Sequence, residues 1–234
     1  MLKIQNFTKY YGDFLAVDDL SLHVKKGEIY GFVGHNGAGK STTIKAVVGA
    51  LGFECGDIFI DGKSLKTNTI DCKRKTAYIP DNPDIYDYLT GIQYLNFIGD
   101  IFGVGDERNE LIKKYATMFE IEKNLGDLIS SYSHGMKQKL VLISAFIHSP
   151  SLMILDEPFV GLDPIASHKL KELMKEFCAN GGAIFFSSHV LEVVEKLCDR
   201  IGIIKKGKLV AQGTMQEIAG DKSLESLFVE LQNE

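Results

Sequence analysis

The 234-residue sequence predicts an α/β fold: a mostly parallel sheet, an antiparallel β-subdomain at the N-terminus, and an inserted α-helical subdomain. Three observations carry this prediction. Short strand-like runs divided by turn residues fill the first thirty or so positions. From Thr90 to about Ile147 apolar residues recur at helical spacing instead. Beyond that, strand and helix patterns alternate. Runs such as Leu152-Met153-Ile154-Leu155 are apolar at every position, as parallel strands buried on both faces require.

Taken in order, strands are expected at Leu2 to Phe7, Ala16 to Val24 and Glu28 to Val33, with turns at Gly12 and Lys26-Gly27. A glycine-rich loop and a helix from Ser41 to Ala50 follow. Asp57 to Ile60 reads as a strand closing on Asp61-Gly62. Thr76 to Ile79 is another, stopped by Pro80 and Pro83. Ile92, Leu95, Phe97, Ile98, Ile101 and Phe102 then mark a helix, and Glu107 to Phe119 and Met136 to Ile147 continue in that style. After these come strand Leu152 to Leu155, helix Ile165 to Cys178, strand Ala183 to Phe186, helix Val190 to Leu197 and strand Arg200 to Ile204. A hairpin from Ile201 to Gln212 turns at Lys206-Gly207, and two short helices follow. The expected organisation is one domain over 1–234. About 1–82 and 150–234 form the core with its β-subdomain, and about 83–149 form the helical part. No internal repeat is evident.

With 45% hydrophobic and 24% charged residues the chain has an ordinary globular composition. Its longest apolar stretch, near Leu140 to Ile147, is interrupted by Ser144, whereas a membrane-spanning helix needs roughly 20 apolar residues. No crossing of a bilayer is therefore expected of this chain alone. Residues Met1 to Phe7 lack the charged start and apolar run of a signal peptide. The net charge is −5, and basic residues occur only in short clusters such as Lys73-Arg74-Lys75 and Lys205-Lys206. Nucleic acid is accordingly not an expected partner. Cys55, Cys72, Cys178 and Cys198 form no CxxC pair and are expected as buried, small apolar side chains in a reducing compartment.

The chemistry enters at Gly34-His35-Asn36-Gly37-Ala38-Gly39-Lys40-Ser41, followed by Thr42. This fits GxxxxGK[ST] between an apolar strand and a helix, the context the motif requires. Glycines let successive N–H groups curl around phosphates, and the helix start adds partial positive charge. Lys40 would reach the outer phosphates of ATP, and the Ser41 hydroxyl would hold Mg²⁺. These features define a P-loop NTPase core. The complementary half is Leu152-Met153-Ile154-Leu155-Asp156-Glu157, an apolar strand ending in two carboxylates. Asp156 is placed to reach the metal, and Glu157 is free to polarise an attacking water.

Between the two halves lies Tyr132-Ser133-His134-Gly135-Met136-Lys137-Gln138, 93 residues after Lys40 and 23 before Asp156 when counted from Ser133. It resembles the signature sequence of ATP-binding-cassette (ABC) transporter ATPases, whose usual form is LSGGQ. Val160-Gly161-Leu162-Asp163 resembles that family's D-loop, and Ser187-Ser188-His189 its switch histidine. Tyr11 matches the aromatic that stacks on adenine. The resemblance covers essentially the whole chain. It implies an ATPase in which two copies, as a homodimer or heterodimer, pack head to tail around ATP and Mg²⁺. Ser133, His134, Gly135 and Met136 of one chain then meet the ATP held by the other, while Glu157 and His189 act catalytically.

Two departures from the family pattern stand out. Where the family carries glutamine after the proline of Tyr78-Ile79-Pro80, this chain has Asp81, with Asn82 beside it. Asp81 is a candidate metal ligand. His134 replaces the first signature glycine, either lying outward or donating toward the partner's nucleotide. The segment YSHGMKQK resembles motor subunits of small bacterial exporters of drugs, lantibiotics and polysaccharides. That resemblance implies a separate transmembrane permease and a place on the cytoplasmic face of the membrane. Residues Ile85 to Phe102 are candidates for the groove that receives a permease helix. The alternative is a soluble ABC ATPase driving assembly with a soluble partner. A GTP switch would need a guanine-reading segment such as NKxD, and none follows the phosphate loop.

Overall fold

A computed structural model describes residues 1–233, with side chains through Leu231. In chain order the strands are β1 (Leu2–Tyr11), β2 (Phe14–Val24), β3 (Ile29–Val33), β4 (Cys55–Ile60), β5 (Lys63–Ser64), β6 (Thr76–Ile79), β7 (Leu152–Asp156), β8 (Ala183–Ser188), β9 (Arg200–Lys205) and β10 (Lys208–Gly213). The helices are α1 (Lys40–Val47), α2 (Thr69–Arg74), α3 (Gly91–Phe102), α4 (Arg108–Met118), α5 (His134–Ile147), α6 (Pro164–Ala179), α7 (Leu191–Leu197), α8 (Met215–Ala219) and α9 (Leu224–Asn233).

Two sheets form. The first, in the order β2-β1-β4-β5, is antiparallel throughout. The second runs β10-β9-β3-β8-β7-β6; its strands are parallel except β10, which returns antiparallel along β9. Alternation along the parallel strands builds two cores at once. Tyr30, Phe32, Leu152, Ile154 and Phe185 enter one apolar cluster. Their neighbours Ile29, Val33, Met153, Leu155 and Phe186 enter the other. Each large side chain buried this way contributes about 1.5–3 kcal/mol of transfer free energy, which explains why no polar residue interrupts these runs. The antiparallel sheet packs only one face: Leu2, Ile4, Leu20 and Leu22 are buried, while Lys3, Ser21 and His23 point to solvent.

Helices α3, α4 and α5 lie in sequence between β6 and β7, and their apolar faces join the second core through Leu95, Ile112, Ala116, Phe119 and Leu140. Local chemistry fixes their ends. Thr90 and Gln93 form a capping box at the start of α3, and Gly103 closes it with φ 68°, a left-handed geometry that disfavours other residues. Ser133 caps α5, its Oγ accepting the Met136 N–H at 3.3 Å. Asp163 caps α6 by accepting from the Ala166 N–H at 2.8 Å, with Pro164 at the first helical position.

Several boundaries and one element differ from the sequence-based expectation. β1 continues past Phe7 to Tyr11, and α1 ends at Val47 instead of Ala50. α2 was not expected; its six residues bury only Cys72, too few turns to produce a periodic apolar pattern. Among the cysteines, Cys72 and Cys178 are buried as expected, but Cys55 is exposed at the start of β4 and Cys198 is half-buried. No helix among the described residues is long and apolar enough to cross a membrane.

Candidate nucleotide site

Sheet order explains how separated motifs meet. β6, β7, β8 and β3 are consecutive neighbours, all parallel, so their C-terminal ends open onto one edge. Asp81 follows β6, Asp156 and Glu157 end β7, His189 follows β8, and the phosphate loop follows β3. Ligands of open α/β sheets bind at such a carboxyl-terminal edge.

The phosphate loop is held tightly from below. Gly39 has φ 110°, and a β-carbon there would fall 2.8 Å from the Ala16 carbonyl oxygen of β2. At Gly34 it would fall 2.5 Å from the carbonyl oxygen of Ile204. Only glycine allows this approach. Lys40 is 7% exposed; its Nζ donates to the carbonyl oxygens of Gly34 at 2.5 Å and His35 at 3.2 Å. Thr43 Oγ1 donates to the Gly39 carbonyl at 2.9 Å and steadies the first turn of α1. Gly34, Ala38 and Gly39 are buried, whereas His35, Asn36, Gly37 and Ser41 are exposed and Thr42 is half-buried.

Opposite the lysine stand the two carboxylates. Burial lowers the Lys40 pKa, and the nearby charges of Glu157 and Asp156 oppose that shift, so all three groups share one field. Asp156 is buried and accepts a hydrogen bond from Ser187 Oγ at 2.5 Å. Glu157 occupies the left-handed region at φ 50°, an uncommon geometry for a non-glycine residue that concentrates at functional sites. Its backbone N–H donates to the Ser187 carbonyl at 3.2 Å. Its Oε2 lies 2.9 Å from His189 Nδ1 and also accepts the His189 N–H at 3.3 Å. Carboxylate and imidazole therefore form a pair at the open edge, with the histidine side chain 61% exposed and the glutamate 14%.

Hard oxygen donors suit Mg²⁺, which is typically held by one or two carboxylates together with substrate phosphates. The exposed Ser41 hydroxyl and the Ser187-oriented Asp156 carboxylate fit that donor set, and Lys40 supplies the matching charge for phosphate. Asp81 is exposed on the adjacent strand end. Burial, with Asp156 and Asp81 both nearby, pushes Tyr78 up to about 12, placing both carboxylates within electrostatic range of one phenol. Tyr11 is exposed at the end of β1, paired with Phe14 of the strand whose Ala16 touches Gly39, and Lys9 lies over its ring at 5.8 Å.

The signature-like turn lies at the start of α5, where His134 and Gly135 sit against Gly161, four residues past Glu157. Ser133 and His134 are exposed, and Gly135 and Met136 are half-buried. Asp163 pairs with Lys139 at 2.7 Å, which holds its carboxyl below the usual range. Three site contacts were not read from the sequence: Ser187 on Asp156, Lys139 on Asp163, and the ring of Phe228 in α9 against His35, centroids 4.7 Å apart. For Ser187 alone a signal existed, because it stands two residues before His189 at the end of an apolar strand.

The chain is similar to known ABC transporter proteins in sequence and in fold. The family pattern described as ABC transporter matches residues 17–160. The linearmycin resistance ATP-binding protein LnrL of Bacillus subtilis (strain 168) is 36% identical over 221 residues, 93% of this chain and 70% of that protein. The lantibiotic transport ATP-binding protein SrtF of Streptococcus pyogenes is 35% identical over 228 residues, 97% of this chain and 96% of that one. A solved structure described as the ATP binding subunit of an ABC transporter superposes with a TM-score of 0.96 at 35% identity, covering 99% of each chain. The chain belongs to the ABC transporter family, as one of its ATP-binding ATPase subunits.

Proposed function

We propose that this chain is the motor of a membrane exporter, working as a head-to-tail dimer around two ATP–Mg²⁺ and driving a separate transmembrane permease from the cytoplasmic face of the membrane. The observation that carries this is the division into two half-sites. One edge gathers Lys40, Asp156, Glu157 and His189 at the strand ends, while Ser133 and His134 lie exposed on a different element, the capped start of α5. A second copy would bring that helix start over the ATP of the first, where N–H groups and helix dipole favour a phosphate. Ser41 and Asp156 would hold Mg²⁺, which neutralises phosphate charge when bound. Glu157 would then orient and deprotonate water, with His189 keeping its carboxylate in place. Asp81 is proposed as an outer metal contact and Tyr11 as the adenine platform.

Support for the permease comes from the helical part, residues about 83–149. A cleft of about 400 Å³ opens between it and β6, lined by Pro80, Asp84, Ile85, Tyr94, Ile98 and Phe102, among others. Tyr86, Tyr88, Phe97 and Ile101 are exposed in the same stretch. An apolar helix face seats well on such a surface. The export assignment follows the relatives named for linearmycin resistance and lantibiotic transport.

Glu157→Gln tests the chemistry. Turnover should fall by about 10²–10⁴-fold, the range for a general base, while ATP binding persists and a dimer accumulates. Near-normal turnover would remove Glu157 from this role. Affinity purification of the tagged chain from gently solubilised membranes tests the partner. A multi-span membrane protein in near-equal amount is expected; recovery of a soluble partner alone would reassign the ATPase to assembly work.

A further inference from the structure

We propose that His134, where the family pattern has glycine, is a positioning residue that locks the signature turn onto the loop bearing the same chain's Glu157. The proposal rests on the head-to-tail dimer of the preceding section and assigns that dimer an internal linkage. Three independent contacts support it. A β-carbon at Gly161 would fall 2.4 Å from His134 Cδ2 and 2.9 Å from Nε2, so the imidazole occupies the space that the missing side chain of Gly161 leaves. A β-carbon at Gly135 would fall 2.6 Å from the Gly161 carbonyl oxygen, so the two backbones also touch. Five residues past His134, Lys139 pairs with Asp163 at 2.7 Å, and its side chain is only 14% exposed.

The loop that receives these contacts is itself stiff. The Val160 N–H donates to the Glu157 carbonyl at 3.1 Å and the Leu162 N–H to the Phe159 carbonyl at 3.4 Å. Phe159 packs edge-on against Phe186 of β8, and Asp163 caps α6. From Glu157 to Asp163 the chain is a series of short turns anchored at both ends. Any shift of Glu157 at one ATP reaches Gly161, and through the His134 ring it reaches the turn that grips the other ATP. Glycine at position 134 would leave Gly161 uncovered and that turn held only by the Gly135–Gly161 backbone approach and the Lys139–Asp163 pair.

The test is ATP–Mg²⁺-driven dimerisation of the Glu157→Gln protein, followed by sedimentation, with His134→Ala and His134→Phe added separately. In parallel, the Hill coefficient for ATP is measured with Glu157 intact. His134 is exposed at the first position of α5, where alanine suits a helix, and equal melting temperatures will verify the fold. His134→Ala should weaken the dimer about tenfold, an ordinary coupling between sites, and lower the Hill coefficient. His134→Phe, which keeps a flat ring but no N–H, should restore the dimer to within about twofold of the parent. An alanine variant that dimerises and cooperates like its parent overturns the proposal. A phenylalanine variant as weak as alanine overturns it too, because the imidazole N–H would then be acting on nucleotide. Failure of the Glu157→Gln parent itself to dimerise with ATP–Mg²⁺ removes the dimer, and the linkage with it.

Discussion

The edge of the parallel sheet and the start of α5 carry the two halves of the proposed ATP site, and they are built in opposite ways. At the sheet edge Lys40 and Asp156 are buried, each is hydrogen-bonded, and glycines at 34 and 39 allow backbone contacts closer than a side chain would permit. At the start of α5, Ser133 and His134 stand in solvent, fixed by a cap, one ring contact and the neighbouring Lys139–Asp163 pair. In the proposed dimer, the difference teaches how a site shared between two chains would be made. The half on the sheet edge is preorganised by its strands, whereas the half on α5 keeps Ser133 and His134 open for a partner's nucleotide. It therefore borrows rigidity from the loop of the first half.

That contrast can be broken most severely at Lys40. Two charge-assisted hydrogen bonds from Lys40 to phosphate would contribute about 1.5–3 kcal/mol each, so Lys40→Ala should weaken ATP binding by about 10²–10⁴-fold. Titration with a fluorescent ATP analogue measures this, and a loss below tenfold would mean that the loop backbone alone holds the phosphates.

A pH titration separates the helical part from the sheet. His148 stacks on Phe102 with centroids 3.9 Å apart, and burial lowers its pKa to about 4. The same cleft also presents Lys73 and Asp84. An unfolded chain protonates this histidine below about pH 6.5, and the folded chain only near 4. The stability tied to neutral His148 is thus fully present at neutral pH and falls as pH drops through that window, by at most about 3 kcal/mol. Urea unfolding of wild type and His148→Phe at pH 7 and pH 5 should show a smaller pH loss in the variant; equal losses would place the effect elsewhere.

Smaller effects sharpen the comparison. Ser187→Ala leaves buried Asp156 without its 2.5 Å donor and should cost about 1–3 kcal/mol in urea unfolding, with ATP affinity reduced as the carboxylate loses its orientation. Ser133→Ala removes only a helix cap, about 1 kcal/mol, and should leave ATP binding by the isolated chain unchanged while weakening the ATP-bound dimer. Reduced ATP binding by that monomer would contradict the two half-sites.

What was legible in the sequence is what lies within one short segment. The phosphate loop, the strand ending in Asp156-Glu157, the turn at Ser133 and the helical periodicity after Thr90 each follow from neighbouring residues, because backbone conformation and apolar spacing are local. α2 escaped because six residues with one buried side chain carry no period. Cys55 was expected to be buried, and the chain places it in the open, because a cysteine carries no sign of which face of its strand is covered.

Tertiary structure alone decided the rest. The neighbour order β6-β7-β8-β3 brought Asp81, Asp156, Glu157, His189 and Lys40 to one edge, although they are spread from position 40 to 189. It also paired Glu157 with His189, set Ser187 on Asp156, and seated His134 on Gly161. Such contacts join residues about thirty positions apart, and they depend on strand order and register, which many sequences with the same local motifs would leave open. Sequence determined which chemical groups exist and the local turns that present them; packing of the sheet determined which of those groups meet.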